Sequence, residues 1–226
     1  MQLRLKAEYG ISISAGRVYR LMKSMQLSAV LARKRPKMTT GKNRVNERYE
    51  NILKRQFNPK SPNQVWASDI TYIHTSKGYC YLCVVMDLFA RKIISWQLSN
   101  SVNAKLVEKS VLQAWNNRGH PSSVIFHSDR GTQYTSEKIR NLLNNIGFKH
   151  SLSAPGFPYD NAIVECFFKY LKEEELNRRS FKQIDDVKHS VFSYIHSFYN
   201  AKRPHSANGG LSPDEREMLF EKENTK

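Results

Sequence analysis

The hydrophobic period of the chain changes at residue 62, and that change limits the folds open to it. From there 65–74 (VWASDITYIH) alternates, with Trp66, Ile70 and Tyr72 on two-residue spacing, as in a half-buried strand. Residues 79–87 read as a second strand, Lys77-Gly78 as the turn between them, and 93–98 as a third strand, so the region starts as an antiparallel meander. Helical spacing follows at 104–117 (Leu106, Val107, Val111, Ala114, Trp115), then a short buried strand at 124–127. A helix at 136–146 (Ile139, Leu142, Leu143, Ile146) and a short fifth strand at 149–151 come next, and two long helices at 161–176 and 185–200 complete the core. Three strands, then alternating helix and strand, specify an α/β sheet of mixed direction. At 226 residues there is room for one such core and a small appendage.

Charge divides at the same place. The chain carries +16, but residues 1–60 hold 15 Lys/Arg against 3 Asp/Glu, and the remainder is close to balanced. Such an excess points to a polyanion, because bound Lys and Arg release condensed counterions from nucleic acid; an anionic membrane surface is the competing partner. Residues 33–44 (RKRPKMTTGKNR) contain six cations, one Pro, one Gly and no acid, and read as an extended basic linker with Arg33, Lys34, Arg35 and Lys37 at its start. A solvated charge run is the bland alternative. Upstream, an apolar series leads to Gly10, Ser12 and Ser14 offer caps, and a helix runs over 15–26 with Val18, Leu21, Met22 and Met25 on one face. Arg17, Arg20 and Lys23 share another face. Helix, Gly turn and basic helix suit a helix-turn-helix in a DNA groove, though any small basic helical pair would look alike. Cys80, Cys83 and Cys166 are too few for a disulfide framework and suit a reducing cytoplasm. No secretory signal is visible, and the longest apolar run, 79–86, is too short to span a bilayer, so a soluble protein without membrane partner is expected.

Acids inside apolar elements are the anomaly in a basic chain. Asp69 lies within the first strand, where Asp is disfavoured; Asp129 ends the fourth; Glu165 lies one turn into an amphipathic helix. On a helical wheel Ile163, Cys166, Phe167, Tyr170 and Leu171 form the buried stripe, and Glu165, Lys169 and Lys172 fall opposite. Glu165 and Lys172 nearly eclipse, ~10 Å apart along the axis. Phosphodiester cleavage needs an activated oxygen nucleophile and a stabilised leaving oxygen. Two Mg²⁺ ions ~3.5–4 Å apart supply both, and Mg²⁺ is content with a few carboxylates, water and substrate phosphate. The plain alternative is that Asp69 and Asp129 cap turns while Glu165 pairs with Lys169.

Asp69-Ile70-Thr71, His127-Ser128-Asp129-Arg130-Gly131 and Asp160-Asn161-Ala162-Ile163-Val164-Glu165 together resemble the D,D-35-E signature of retroviral-integrase-like transposases. Thirty-five residues lie between Asp129 and Glu165, and a basic residue, Lys172, follows seven later. The stretch from Tyr199 through Arg203, His205 and Leu211 to Pro213 is similar to the C-terminus of bacterial insertion-sequence transposases. The resemblance covers about 62–213 and implies an RNase H-like fold, with Asp69, Asp129 and Glu165 as catalytic, metal-binding acids. It implies two Mg²⁺ ions (Mn²⁺ may substitute as the cofactor), double-stranded DNA of element ends and target as partner, and a homo-oligomer on that DNA in a bacterial cytoplasm, associated with the nucleoid. Water would free a 3′-OH at the element end, and that hydroxyl would attack target DNA without a covalent protein intermediate. Lys172 and Lys169 would contact DNA, with His127, Arg130, Asn161, Arg203 and His205 as further substrate contacts. Pro155-Gly156-Phe157-Pro158 resembles the mobile loop that approaches DNA in this family. Members usually carry more sequence before Tyr9-Gly10, so 1–32 reads as the latter part of a DNA-binding region, 33–61 as linker, 62–213 as core with its C-terminal helices and 214–226 as a tail. Where the family has an apolar residue, commonly Leu, this chain has Asn208, which puts the packing of that loop in question.

Other residues carry weaker rival readings. Cys80 and Cys83 have zinc-pair spacing but no second pair, and inside a strand they read as buried hydrophobes. His127 alone would more often be an internally satisfied histidine. Cys166, on the buried stripe, makes a poor nucleophile. A tight hairpin pairs Val84 with Asp69 and Asp87 with Trp66, so Asp87 faces away from Asp69 and is left out of the acid set. The run Glu173-Glu174-Glu175 reads as a solvated face or a helix-pair contact. Three functions stay open at this point: a DNA transposase, a DNA-binding regulator from an inactive copy, and an RNase H-like nuclease. The acid triad disfavours the second, and the basic arm with the C-terminal motif disfavours the third.

Overall fold

The computed structural model describes residues 1–27, 50–154 and 161–225. Its centre is one mixed sheet. Strand β1 (Val65–Thr75) turns through Ser76 and Lys77 into β2 (Gly78–Asp87), with Thr75 Oγ1 donating to the Gly78 carbonyl at 2.9 Å, and β3 (Lys92–Ser99) follows antiparallel. Gly78, at φ +113°, holds a conformation that side chains resist, which makes glycine the residue for this corner. The register is the expected one: Asp69 opposite Val84 and Trp66 opposite Asp87. Helix α3 (Ala104–Asn117) leads to β4 (Ile125–Ser128), and α4 (Glu137–Asn145) crosses over to β5 (Lys149–Leu152), so these last two strands are parallel. The order is β3-β2-β1-β4-β5. Asn103 and Ser136 cap α3 and α4 with their side-chain oxygens.

Both sheet faces are covered, which is why β2 is apolar on both sides. One core contains Val65, Ala67, Leu82, Val84 and Met86 under α5 (Ala162–Glu174) and α6 (Ile184–Phe192). The other contains Trp66, Cys83, Val85 and Phe126 under α3 and α4. Cys80 and Cys83 are buried free thiols, as read from the sequence. Helix α6 continues as a π-helical segment, Ser193–Asn200, whose last residue clamps β3: Asn200 donates to the Ile93 carbonyl and accepts its N–H, at 2.9 and 3.0 Å.

Two expectations, the buried stripe of α5 and the packing at Asn208, are corrected. Helix α5 buries Val164, Phe167, Phe168 and Leu171, and Cys166 is exposed. Helix α5 packs on β1 with its apolar stripe turned toward Phe168, and the Ile163–Cys166–Tyr170 edge borders the C-terminal loop. The tail is mostly a helix, α7 (Pro213–Asn224), with a Ser212/Glu215 capping box. Its Glu217 is buried against Arg118 and Lys92 (Lys92 Nζ at 2.7 Å), and Arg118 also reaches Asp87 at 3.4 Å. Asn208 sits comfortably in its buried place, because its amide donates to the Ala90 carbonyl at 2.9 Å.

At the N-terminus, α1 (Gln2–Tyr9) ends on Gly10 and α2 (Ala15–Ser24) starts on the Ser14 cap. Only Val18 of the expected apolar face is buried; Leu21 and Met25 are exposed. Helix α1 touches the C-terminal segment: Arg4 lies 3.6 Å from Glu215, and Gly210 packs so close to Leu3 that a Cβ there would stand 2.8 Å from it. Among the described residues no helix is long and apolar enough to cross a membrane.

Candidate active site

The sheet brings Asp69 and Asp129 to one end because β1 and β4 are parallel neighbours, paired from Val65–Ile125 to Ala67–His127. Ala67 is the last β1 residue paired with β4, so Asp69, two residues on within β1, and Asp129, the residue after β4, stand at the same level of the sheet. Glu165 reaches them from the first turn of α5.

Several backbone and side-chain contacts fix these carboxylates. Asp69 Oδ1 accepts the Ile70 N–H at 2.8 Å, and Asp129 Oδ1 accepts the Gly131 N–H at 2.9 Å. Beneath Asp69, Ser68 Oγ donates to the Val84 carbonyl at 2.8 Å. Its one proton is thus spent, so the Tyr134 hydroxyl, also 2.8 Å away, is the donor of the pair. The Tyr134 hydroxyl is buried and held far above its ordinary pKa by burial, so it stays protonated in that role. Asn161, just before α5, donates to the Ser68 carbonyl at 3.2 Å and so ties the helix bearing Glu165 to the strand bearing Asp69. The Asn161 Oδ1 is buried and has no hydrogen-bond partner among the described residues.

Electrostatics link the acids into one unit. Burial, then the negative charge of Asp129, pushes Asp69 up to about 7; the Ile70 N–H opposes this, Glu165 adds to it and Lys172 opposes it. Glu165 is raised by burial and by Asp129, and Asp129 by burial against the Gly131 N–H. Each pair of the three acids therefore repels, and Lys172 opposes the effect at Asp69. Clustered carboxylates with this mutual repulsion are what a divalent cation relieves. Among the described residues no group of three or more His, Cys, Asp or Glu side chains, these acids included, is gathered closely enough to hold a metal ion by itself. An open set of oxygen donors completed by water and phosphate is the arrangement Mg²⁺ uses, so the donor chemistry fits that ion.

The other expected contacts divide sharply. Lys172 Nζ stands 4.7 Å from the ring centroid of Tyr72 and acts on Asp69, so it borders the acids. Lys169 is exposed on the outer side of α5, and Arg17, Arg20 and Lys23 are exposed on α2. Arg33, Lys34, Arg35, Lys37, Asp160 and the loop 155–158 lie outside the described residues. His127 is fully buried between the hydroxyls of Ser151 (2.9 Å) and Ser153 (3.3 Å), where it joins β4 to β5 rather than facing a substrate. Arg130 donates to the Ser153 carbonyl at 2.8 Å and is half-buried. Arg203 forks onto Glu174 at 2.8 and 3.0 Å and stacks 3.8 Å over Tyr170, so it braces α5. His205 packs edge-on to Tyr199, and burial, then Arg203 and Arg91, lower it to about 4, which keeps it neutral. Asp87 accepts the N–H groups of Asn63 and Phe89 at 2.8 and 3.0 Å, away from the acids, as the register required. Of the glutamate run, Glu174 holds Tyr194 and Arg203, and Glu175 holds Ser190, the helix-pair alternative. Sequence reasoning missed Tyr134 and Gly131 as supports; a glycine two residues past the acid was the available signal for Gly131.

Comparison with known proteins places this geometry. Two models described as integrase core domain match residues 59–158 and 146–213. The chain is 38% identical over 216 residues to the transposase for insertion sequence element IS904 of Lactococcus lactis, covering 96% of this chain and 83% of that protein. It is 42% identical over 168 residues to transposase InsF for insertion sequence IS3A of Escherichia coli, covering 74% of this chain and 58% of that one. Among solved structures it is similar in fold to the HTLV-2 integrase catalytic core domain in complex with magnesium (TM-score 0.53, 19% identity, 70% of this chain and 98% of that one). The catalytic core domain of BIV integrase aligns likewise (TM-score 0.52, 21% identity, 73% and 99%).

Proposed function

We propose, for a chain that belongs to the integrase-core transposases of insertion sequences, that Asp69, Asp129 and Glu165 form one centre for cutting element ends and joining them to target DNA. The observation that carries this is the placement of three carboxylates from β1, the end of β4 and the first turn of α5 at one end of the sheet. These acids would hold two Mg²⁺ ions, with Mn²⁺ as a substitute. When bound, the ions supply the charge that activates the attacking oxygen and stabilises the leaving one.

The rest falls to the chain's own residues. Lys172 takes a phosphate beside the acids, and Lys169 extends the positive side of α5 along the backbone. Asn161 and the Ser68–Tyr134 pair keep Asp69 and Glu165 in register, since loss of geometry by even ~1 Å costs rate steeply. Arg17, Arg20 and Lys23 of segment 1–32, with the basic stretch 33–61, grip double-stranded DNA beside the core at 62–213. Water attacks the phosphorus at the element end and expels the 3′-oxygen as a free 3′-OH; this hydroxyl then attacks a target phosphorus and expels the target strand's 3′-oxygen, so each step exchanges one P–O bond for another. Joining two ends calls for a homo-oligomer on the DNA, in the cytoplasm at the nucleoid.

The test uses a labelled duplex carrying the element end, a plasmid target, and Mg²⁺ or Mn²⁺. Joined product that disappears with EDTA supports the reading. Nicking without joining would leave a nuclease, and binding without either would leave a regulator.

A further inference from the structure

Strand β1 outruns β4. The parallel pairing covers Val65–Ala67 only, so beyond Asp69 the side of β1 facing β4 has no strand neighbour among the described residues. The face that buries Trp66 completely is uncovered by this point, and the same alternation delivers Tyr72 to water at 61% exposure, with Tyr79 of β2 beside it at 57%. Their rings meet edge to face, centroids 5.7 Å apart at 86°, and His74 adds a third ring 5.3 Å from Tyr79. Lys172, the cation that acts on Asp69, stands over the Tyr72 ring. A cleft of about 490 Å³ opens beside them, lined by Tyr72, His74, Lys172 and Arg179 among others and by no carboxylate. Arg179 is itself paired with Glu175 at 2.9 Å.

Exposed aromatic rings interleaved with cations are the equipment of single-strand recognition: rings take base faces, and cations take phosphates. A paired base inside a duplex keeps its faces covered by neighbours, and only an unpaired or terminal base offers one. We propose that Tyr72 and Tyr79 are a stacking platform for an unpaired base of the DNA end, with Lys172 on the adjoining phosphate. The platform rests on reading the acids as a DNA-joining centre; by alternation its rings start from the face of β1 opposite Asp69, and Lys172 at the open edge links the two. Lys172 couples the two sites, since one ammonium serves both the ring and the acid cluster.

The test is run on the full chain in EDTA, with an oligothymidylate carrying a single 2-aminopurine, whose fluorescence falls when its ring stacks. Wild type and the double variant Tyr72→Phe/Tyr79→Phe should quench the probe alike, because the rings and not the hydroxyls do the stacking. Tyr72→Ala/Tyr79→Ala should lose the quench and bind about tenfold or more weakly. A duplex with an unpaired terminal base should outcompete a fully paired one on wild type, and that preference should vanish in the alanine variant. Quenching and affinity of the alanine variant equal to wild type would overturn the platform. Because the assay needs no metal, it separates the two claims: normal quenching by a chain that joins no DNA in Mg²⁺ supports the platform and contradicts the catalytic reading alone.

Discussion

Asp129 is held by Gly131: its Oδ1 accepts the glycine N–H at 2.9 Å, and a Cβ on Gly131 would stand 3.0 Å from that same oxygen. The backbone thus approaches the carboxylate as closely as it does because no side chain intervenes. Gln133 Oε1 lies at 2.8 Å from the same point, but it ends a flexible side chain and can swing away.

Gly131→Ala should therefore push Asp129 off its hydrogen bond and leave the fold alone. The expected result is a fall in joining rate on the order of 10- to 100-fold with a melting temperature within a few degrees of wild type. An active Gly131→Ala would show that Asp129 need not be held there.

Repulsion among the acids makes a signed prediction about pH. Asp69 is at about 7 in the folded chain, against about 3.9 for a free aspartate. A raised acid gives stability that is fully present below about pH 4 and is lost as pH rises through about 7. Asp69→Asn, which cannot ionise, should in EDTA be more stable than wild type at pH 8, by up to a few kcal/mol, and by much less at pH 5. Added Mg²⁺ should raise the melting temperature of wild type at pH 8 and do little for the variant. A difference in stability that ignores pH would contradict the coupling.

The C-terminal helix has the opposite sign. Burial raises Glu217, but the hydrogen bonds and charges of Arg118 and then Lys92 outweigh it and hold the carboxyl below the ordinary glutamate range. A lowered acid stabilises at neutral pH and loses that contribution as pH falls through its folded value. Glu217→Gln should cost about 2 kcal/mol in urea unfolding at pH 7, and the gap from wild type should close below about pH 4.

The parts legible in the sequence share one property: short-range pattern decides them. The Asp69–Val84 register followed from strict alternation across a two-residue turn, and it removed Asp87 from the acid set, where the structure finds it tied to Asn63, Phe89 and Arg118. What escaped depends on which neighbours close over an element. A wheel of α5 centres too near Cys166 because it cannot register that the Ile163–Cys166–Tyr170 edge faces only the C-terminal loop, while Val164 and Phe168 are buried. The intramolecular partners of His127 and Arg203 escaped for a similar reason. His127 and Arg203 resemble substrate contacts in a string of motifs, and only the fold supplies Ser151, Ser153 and Glu174 to occupy them. Residues 214–226 read only as a tail, because Arg118, the partner of the helix Pro213–Asn224, lies about a hundred residues away in sequence.

The central claim is that Asp69, Asp129 and Glu165 act as one metal-dependent centre. The direct measurement is Mg²⁺- or Mn²⁺-dependent joining of an element-end duplex by Asp69→Asn, Asp129→Asn and Glu165→Gln, each beside its DNA affinity. Each variant should lose joining to background while binding DNA as wild type does. Joining at the wild-type rate by Glu165→Gln, or by either Asn variant, would contradict the assignment.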